Sequence, residues 1–540
     1  MPASSRTRSA SRAQGVAPHG VVRARGVAPH GVVRAPGVVR VRGVALAAAA
    51  VAALTVLPLL VVLADAISAG GAGAAEYLLR PRVAELLGHT GMLVAVTVPA
   101  TVVVGTLAAW LVERTDLPWA GLWRALLLAP LAVPAFVSAY AWATVAPWLT
   151  GFAGAALVTT LAYYPFVFLP VAAMLRALDP ADEEVARSLG LSPAAVVART
   201  VLPRLRPALS GGALLVALHL LAEYGVLEMM RFQTFTTAIM QRYAVGFSDS
   251  SGSLLASVLL ALCLLTLTLE VAAQGRRRVA RVGSGAQHPA PQLPLGVWKA
   301  PAALVLTAVV GLSLVVPVAT VTRWLVSAVA DGEVGGDLLR VTSNTLVLAL
   351  LGGVAAVVAA LPGAWLLNRH RSALTLLLER ATYLASALPG VVVGLALVTL
   401  AVNWARPVYQ TVWLAVLAYA ILFLPRAMVS LRAGLAAAPP ELSEAARSLG
   451  LRGPATLARV VLPLMGPSVL TGFVLVALAI STELTATLLL APTGTDTLAL
   501  AFWRETGELD YAAAAPYAAA MIVLSVPLTM LLRRHLLEER

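Results

Sequence analysis

The 540-residue chain contains one lysine, Lys299, and one cysteine, Cys263. A single cysteine excludes an internal disulfide and a thiolate metal site. Without a Gly-Lys-Ser/Thr sequence the chain has no phosphate-binding loop, so any ATP hydrolysis must take place in another subunit. Its seven histidines are scattered and show no metal-ligand spacing. We therefore expect no cofactor, no metal site and no catalytic residues, and an enzyme is not predicted.

Charge is also scarce. Only 12% of the residues are charged and 59% are hydrophobic, whereas a soluble domain carries about 25% charged residues. Apolar runs of about 20 residues, enough to cross a roughly 30 Å hydrocarbon core, recur along the chain. About twelve are predicted, near 44–66, 91–112, 124–148, 153–177, 208–229, 253–274, 299–324, 343–367, 381–402, 410–431, 467–490 and 511–532. The predicted fold class is therefore an all-α polytopic membrane protein.

The formal charge of +13 comes from arginines that lie beside these predicted spans. The segment 1–43 alone has eight arginines and no acidic residue, and further basic groups occur at 276–278, 369–371 and 533–534. With both termini in the cytoplasm, all these groups fall on the cytoplasmic side, as the positive-inside rule requires. Their placement argues for membrane topology and against nucleic-acid binding.

The two halves of the chain resemble each other. Residues 89–115 align with 344–370 at an offset of 255, and the FLP sequence at 168–170 returns at 423–425. The offset then grows to 260 and holds as far as Glu223 and Glu483. Since six spans per half is an even number, the two copies should run parallel through the membrane. The predicted domains are a disordered basic arm (1–43), a first six-helix half (44–274), a flexible cytoplasmic linker (275–298) and a second six-helix half (299–540).

A polar octapeptide occurs in both halves, as EVARSLGL at 184–191 and as EAARSLGL at 444–451. Each copy is followed at the same distance by VLP, at 201–203 and 461–463. In the first copy, Asp179 is a suitable N-cap, and Gly190 is suited to end the helix because glycine adopts the left-handed conformation cheaply. A second short helix should follow and break near Pro203, and the second copy should end likewise at Pro463. We expect a rigid helical hairpin on the cytoplasmic face of each half, suited to docking another protein.

This pattern resembles the Glu-Ala-Ala loop of permease subunits of ATP-binding-cassette importers. The matching residues are Glu184, Ala186, Gly190 and Pro203 in the first copy, and Glu444, Ala445, Ala446, Gly450 and Pro463 in the second. The first copy departs from the family pattern at Val185. The resemblance implies that both loops are coupling helices, each seated in a groove of one of two ATPase subunits. It also implies an external substrate-binding protein and a location in the plasma membrane of a bacterium.

Two other interpretations remain open at this point. In one interpretation, the two loops are helical hairpins that only connect membrane spans. In the other, the chain is a twelve-helix secondary transporter, which predicts charged coupling residues in several spans and gives no reason to duplicate these loops.

The segments 221–243 and 482–519 resemble the ferric-iron importers among fused permeases. This resemblance favours iron(III) as the substrate. Thiamine, phosphonate and polyamine remain alternatives within the same importer class.

Glu223 and Glu483 are the predicted translocation residues. Each lies about 15 residues into a predicted span, which at 1.5 Å per residue is roughly 23 Å from the cytoplasmic face. A carboxylate inside the membrane normally faces a cavity or a partner. The pair could favour a cation or form a gate with Arg231 or Arg504, or each glutamate could cap its helix and stay solvated. The sequence favours a packing role for the nearby His219.

Overall fold

A computed structural model of the chain describes residues 37–537, except 69, 180, 246–249, 275–291, 333–336, 370–371, 385–386, 437, 439 and 452. Most of the predicted arm and most of the predicted linker lie outside these described residues. Where the chain is described it is helical, and its one β contact is an isolated bridge between Thr115 and Leu293. The all-α class is confirmed.

The helices follow one another along the chain in two series. The first series is α1 (Gly37–Ser68), α2 (Gly71–Leu78), α3 (Pro81–Arg114), α4 (Ala120–Leu128), α5 (Ala135–Val145), α6 (Gly151–Tyr163), α7 (Pro165–Ala177), α8 (Ala181–Ser188), α9 (Pro193–Val196), α10 (Leu202–Ala222), α11 (Gly225–Met229), α12 (Phe235–Val245) and α13 (Ser250–Gln274). The second is α14 (Lys299–Val310), α15 (Val316–Ala330), α16 (Leu338–Arg369), α17 (Ala373–Leu384), α18 (Gly390–Trp404), α19 (Val412–Ala436), α20 (Pro440–Ser448), α21 (Gly453–Thr456), α22 (Leu462–Ser481), α23 (Thr485–Leu490), α24 (Leu498–Gly507) and α25 (Tyr511–Leu537).

Within the described residues, nine helices are long and apolar enough to cross a membrane, and a bent pair could supply a tenth. Two further apolar helices, Gly390–Trp404 and Tyr511–Pro527, are shorter. The polytopic membrane architecture is confirmed, while the count of twelve spans is not.

The predicted span 124–148 is not one straight helix. Its two parts, Ala120–Ala132 and Ala135–Val145, meet at 91°. The break falls at Pro134, which has an extended backbone (ψ 140°), because proline cannot donate a hydrogen bond and disfavours helical backbone in the residue before it. Pro389 has the same extended backbone (ψ 145°) at the start of α18, so the predicted span 381–402 is divided as well.

The predicted breaks at Pro203 and Pro463 are wrong, because the helix continues through both prolines. Each proline lies two residues after a wider π turn, at Val197–Val201 and at Leu457–Val461. A proline ring would collide with the carbonyl one turn earlier in a regular α-helix. The wider turn moves that carbonyl aside, and the long helices Pro193–Ala222 and Ala458–Ser481 result.

The two halves are interleaved within the compact unit Val44–Arg540. In the first half, the long helix α3 packs against α7 and α10. In the second half, the equivalent helix α16 packs against α19 and α22. Across the halves, α5 packs against α15 and shares a core with α24 and α25, while α12 and α13 pack against α18. The Tyr140 ring in α5 lies 5.3 Å from the Phe502 ring, and its hydroxyl donates to the Tyr511 carbonyl at 2.7 Å. The last helices of each half therefore pack on the other half.

The end of the predicted linker is fixed to the end of α3. Leu293 N donates to Arg114 O at 2.8 Å, and Leu295 N donates to Asp116 Oδ1 at 2.9 Å. Lys299 Nζ lies 2.8 Å from Asp116 Oδ2. The Leu295 amide and the Lys299 ammonium hold the pKa of Asp116 below its usual value. This end of the linker is thus hydrogen-bonded to the end of α3 and to the residues that follow it.

Candidate functional site

The first octapeptide forms a capped helix with a tight C-terminal turn. Asp179 Oδ1 accepts a hydrogen bond from Ala181 N at 3.0 Å where α8 begins. Gly190 has a φ of +81°, as predicted. Its N–H donates to Arg187 O at 2.9 Å, and Leu191 N donates to Ala186 O at 3.2 Å. These two bonds define a Schellman motif, in which a left-handed glycine lets the helix's last carbonyls find donors.

The second octapeptide has the same local structure. It forms α20, and Gly450 has a φ of +87°. Leu451 N donates to Ala446 O at 3.0 Å, in the same register as the bond from Leu191. The two hairpins, α8–α9 and α20–α21, are called the coupling hairpins below.

Each coupling hairpin has a packed face and an open face. Ala186 and Ala446 are buried, whereas the glutamates of the predicted motif, Glu184 and Glu444, are exposed. Ala445, Gly190, Gly450 and Pro463 are exposed as well, and Pro203 is half-buried. The predicted motif residues thus divide into buried ones that shape the hairpin and exposed ones on its open face.

Two exposed leucines were not foreseen. Leu189 is 77% exposed and Leu449 is 84% exposed, at equivalent positions just before the left-handed glycines. Each hairpin therefore presents a large apolar side chain on its open face. The signal was present in the sequence, since leucine is the one large apolar residue that both polar octapeptides place before their first glycine.

A buried ion pair fastens the first coupling hairpin to α3. The Arg114 guanidinium donates to the Glu183 carboxylate, and both side chains are under a tenth exposed. Arg187 Nη2 lies 3.6 Å from Oε2 of the same carboxylate. In the second half, the residue equivalent to Glu183 is the buried Ser443. The two hairpins therefore differ in how they are attached to the helices above them.

Glu223 lies at a break in its predicted span. The helix α10 ends at Ala222, and the Glu223 Oε1 atom accepts from Val226 N at 2.9 Å, which caps the short α11. The Tyr163 hydroxyl donates to Oε2 of the same carboxylate. Thr236 Oγ1 donates to the Glu223 carbonyl at 2.6 Å, so the broken backbone is also paired. The predicted continuous span 208–229 is wrong here, because these side chains satisfy the backbone groups that the break frees.

Glu483 lies at the matching break in the second half. The helix α22 ends at Ser481, and Glu483 Oε1 accepts from Ala486 N at 3.0 Å, which caps α23. Thr487 Oγ1 donates to the Glu483 carbonyl at 2.7 Å. The predicted span 467–490 is therefore interrupted too. Each glutamate therefore caps the short helix that follows its break.

The two breaks meet at the boundary between the halves. A Cβ atom added to Gly225, beside the first glutamate, would lie 3.2 Å from Cδ2 of Leu484, beside the second. Glu483 interacts electrostatically with the Glu223 carboxylate and with the Arg426 guanidinium. Both glutamates lie deep in the protein yet keep part of their surface accessible.

The arginines predicted as gate partners lie elsewhere. Arg504 pairs with Asp496 at 2.9 Å and with Glu505 at 3.1 Å. In the part of the chain that the structure describes, neither Arg504 nor Arg231 forms an ion pair with either glutamate.

The sequence reasoning missed Arg426, in the middle of α19. Its side chain is exposed although it lies deep in the protein, with its guanidinium 5.2 Å from the centre of the Phe423 ring. A signal was available, because the FLP sequence is followed by Val171 in the first half and by Arg426 in the second. Among the described residues, no group of three or more His, Cys, Asp or Glu could hold a metal ion.

The sequence matches a protein-family model twice. The family is described as the binding-protein-dependent transport system inner membrane component, and the matches cover residues 66–279 and 352–535. Each match contains one coupling hairpin and one of the two glutamates. The family domain is therefore present twice in this chain.

Individual relatives agree with this family. The chain is 36% identical over 483 residues to the Fe(3+)-transport system permease protein FbpB 2 of Haemophilus influenzae, covering 89% of this chain and 95% of that protein. It is 25% identical to the ferric transport system permease protein FbpB of Actinobacillus pleuropneumoniae, over 71% of this chain and 58% of the relative. It is 26% identical to the sulfate transport system permease protein CysW of Escherichia coli, over 41% of this chain and 82% of the relative. The chain belongs to the family of inner-membrane components of binding-protein-dependent transport systems.

Proposed function

We propose that this chain is the permease of an ATP-driven importer that carries iron(III) from an external binding protein into the cytoplasm. The observation that supports the substrate is the 36% identity to a ferric-iron permease over 95% of that relative's length. The similarity to a sulfate permease is lower and extends over 41% of this chain.

In this proposal the coupling hairpins dock on two ATPase subunits. Their exposed leucines, Leu189 and Leu449, and their exposed glutamates offer each ATPase an apolar contact rimmed by charge. Such an arrangement is typical of protein interfaces. Both termini and both hairpins then lie in the cytoplasm, and ATP hydrolysis takes place in the partner subunits.

Glu223 and Glu483 line the translocation cavity in this proposal. They lie where two broken helices meet between the halves, and a switch between outward and inward access would move those halves against each other. Two carboxylates at such a point favour a cationic substrate.

Uptake measurements test the proposal. The chain is expressed in bacteria together with its ATPase and its binding protein, and uptake of radiolabelled iron(III), sulfate and thiamine is compared. We expect iron(III) to accumulate, and an ATPase subunit unable to hydrolyse ATP to abolish the accumulation. Uptake of sulfate or thiamine in place of iron would contradict the substrate. Iron uptake that survives the inactive ATPase would instead indicate a secondary transporter.

A further inference from the structure

The surroundings of Glu223 and Glu483 differ, although the two residues are equivalent. Near Glu223 the chain has Tyr163 and His219, whose equivalents in the second half are Ala418 and Ala479. Near Glu483 it has Arg426, whose equivalent in the first half is Val171. Three of the positions at which the two halves differ thus change the polar or charged groups around a glutamate.

In the first half, the differing residues form a group of oxygen and nitrogen donors. The Tyr163 hydroxyl is hydrogen-bonded to the Glu223 carboxylate. The Tyr163 and His219 rings lie 5.7 Å apart. His219 precedes Glu223 by four residues, so the two side chains project from the same side of the end of α10. A phenol, an imidazole and a carboxylate therefore lie near one another at the break after α10.

His219 is held in one orientation. Its Nδ1 atom lies 2.8 Å from the Leu215 carbonyl oxygen, which can only accept, so Nδ1 carries the proton. The Phe166 ring, 4.5 Å away, packs against the imidazole. In the neutral ring Nε2 is then left with a free lone pair. In metal-binding histidines, one ring nitrogen usually donates a hydrogen bond to a carbonyl or carboxylate oxygen, and the other nitrogen binds the metal.

In the second half, the charge of the glutamate is offset. Arg426 interacts electrostatically with the Glu483 carboxylate and with the His219 imidazole, and in the described residues no Arg or Lys acts on the Glu223 carboxylate. Of the two carboxylates, the one in the first half therefore has no arginine or lysine partner in the described residues.

We propose that Tyr163, His219 and Glu223 form a transient binding site for iron(III) in the first half of the permease. Arg426 and Glu483 form a neutral counterpart in the second half. This inference rests on the proposed function. Carboxylate, imidazole and phenolate ligands all suit iron. As iron binds, the Tyr163 phenol releases its proton to water in the cavity, and its bond to Glu223 is replaced by a bond to the metal.

The test compares two neighbouring tyrosines. Tyr163→Phe removes the proposed ligand oxygen. Tyr164→Phe removes a hydroxyl that lies outside the site and donates to the Leu127 carbonyl oxygen at 3.0 Å. With saturating binding protein, we expect Tyr163→Phe to lower iron uptake about tenfold or more. Tyr164→Phe should keep uptake near the wild-type rate. Immunoblots of the membrane fraction and co-purification of the ATPase check that both variants are inserted and assembled.

A spectroscopic measurement gives a second readout. The purified full-length chain in detergent is titrated with iron(III) nitrilotriacetate, and we expect the visible charge-transfer absorption of an iron(III)–phenolate bond. The absorption should be absent from Tyr163→Phe and present in Tyr164→Phe.

The outcomes separate the two proposals. Wild-type cells that take up no iron would refute the proposed function itself. If the wild type takes up iron, the inference is overturned by normal uptake in Tyr163→Phe or by an equal loss in Tyr164→Phe. A wild-type spectrum without the absorption, or one that survives Tyr163→Phe, would also overturn it.

Discussion

At the scale of single residues, the buried pair of Arg114 and Glu183 carries the attachment of the first coupling hairpin. Both side chains are almost fully buried, and Arg114 Nη1 has no hydrogen-bond partner in the described structure. Burying two charges is costly, and the cost is recovered only while both partners are present. The pair therefore ties the position of α8 to that of α3.

We expect Arg114→Met alone to destabilise the protein by roughly 3–5 kcal/mol, because it leaves the Glu183 carboxylate buried without its main partner. The double variant Arg114→Met/Glu183→Met should recover much of that loss. The matched control is Arg204→Met, whose partner Asp182 is nearly half exposed, and it should cost less than about 1 kcal/mol. Thermal unfolding in detergent measures all three. A double variant no more stable than Arg114→Met would contradict this account.

The roles of single residues were also the hardest features to predict from the sequence. It selected Glu223 and Glu483, because carboxylates in apolar segments stand out. It assigned His219 to packing, since nothing along the chain brings Tyr163, 56 residues earlier, to the same point. Arg426 was hidden for a related reason: its partner Glu483 lies 57 residues later in the chain, at the break after α22, and only the fold brings them together.

At the scale of elements, most helices were predictable and their interruptions were not. Hydropathy detects a run of apolar residues but not an interruption of the helix within it. At the two interruptions, the backbone groups are hydrogen-bonded by Glu223 and Thr236 in the first half and by Glu483 and Thr487 in the second. The bend at Pro134 was more accessible, because a proline repeats at the equivalent Pro389. The turns at Gly190 and Gly450 were predicted correctly, since only local sequence decides them.

The coupling hairpins lead to a prediction about docking. Leu449→Asp puts a charge on the exposed leucine of the second hairpin, where it would have to be desolvated against the ATPase. We expect association with the ATPase to weaken about tenfold or more. Membrane insertion should be unaffected, because Leu449 is 84% exposed. Leu449→Met, which keeps an apolar side chain of similar volume, is the control and should bind normally.

Co-purification of the ATPase with tagged permease measures this effect. The equivalent variant Leu189→Asp tests whether the two hairpins dock equally, since only the first is anchored by Glu183. Full binding by Leu449→Asp and Leu189→Asp together would show that this surface does not dock the ATPase.

At the scale of the whole molecule, the two halves are packed into each other. The core that contains Phe136 and Tyr140 of α5 is completed by Phe502 and Met521 from the end of the chain. The reciprocal contact joins α12 and α13 to α18. The linker is not needed for either contact, so the halves should recognise each other without a covalent connection.

We therefore expect the chain to tolerate division within the linker. Chains 1–283 and 284–540, expressed together, should co-purify and transport, and each expressed alone should accumulate poorly. Phe502→Ala in the second chain should weaken co-purification, because it removes a fully buried ring worth roughly 3–5 kcal/mol. Failure of the unaltered pair to associate would mean that the linker itself holds the halves together.

The exchange of terminal helices also has a consequence for biosynthesis. When α5 enters the membrane, the residues that will cover it have not yet been translated, and at about 5–20 residues per second the wait is on the order of tens of seconds. During that interval Phe136 and Tyr140 face lipid or the insertion machinery, and the Tyr140 hydroxyl lacks the Tyr511 carbonyl that later accepts its hydrogen bond. The nascent first half is therefore the stage at which this protein is most exposed to membrane proteases and most dependent on assistance from insertion factors.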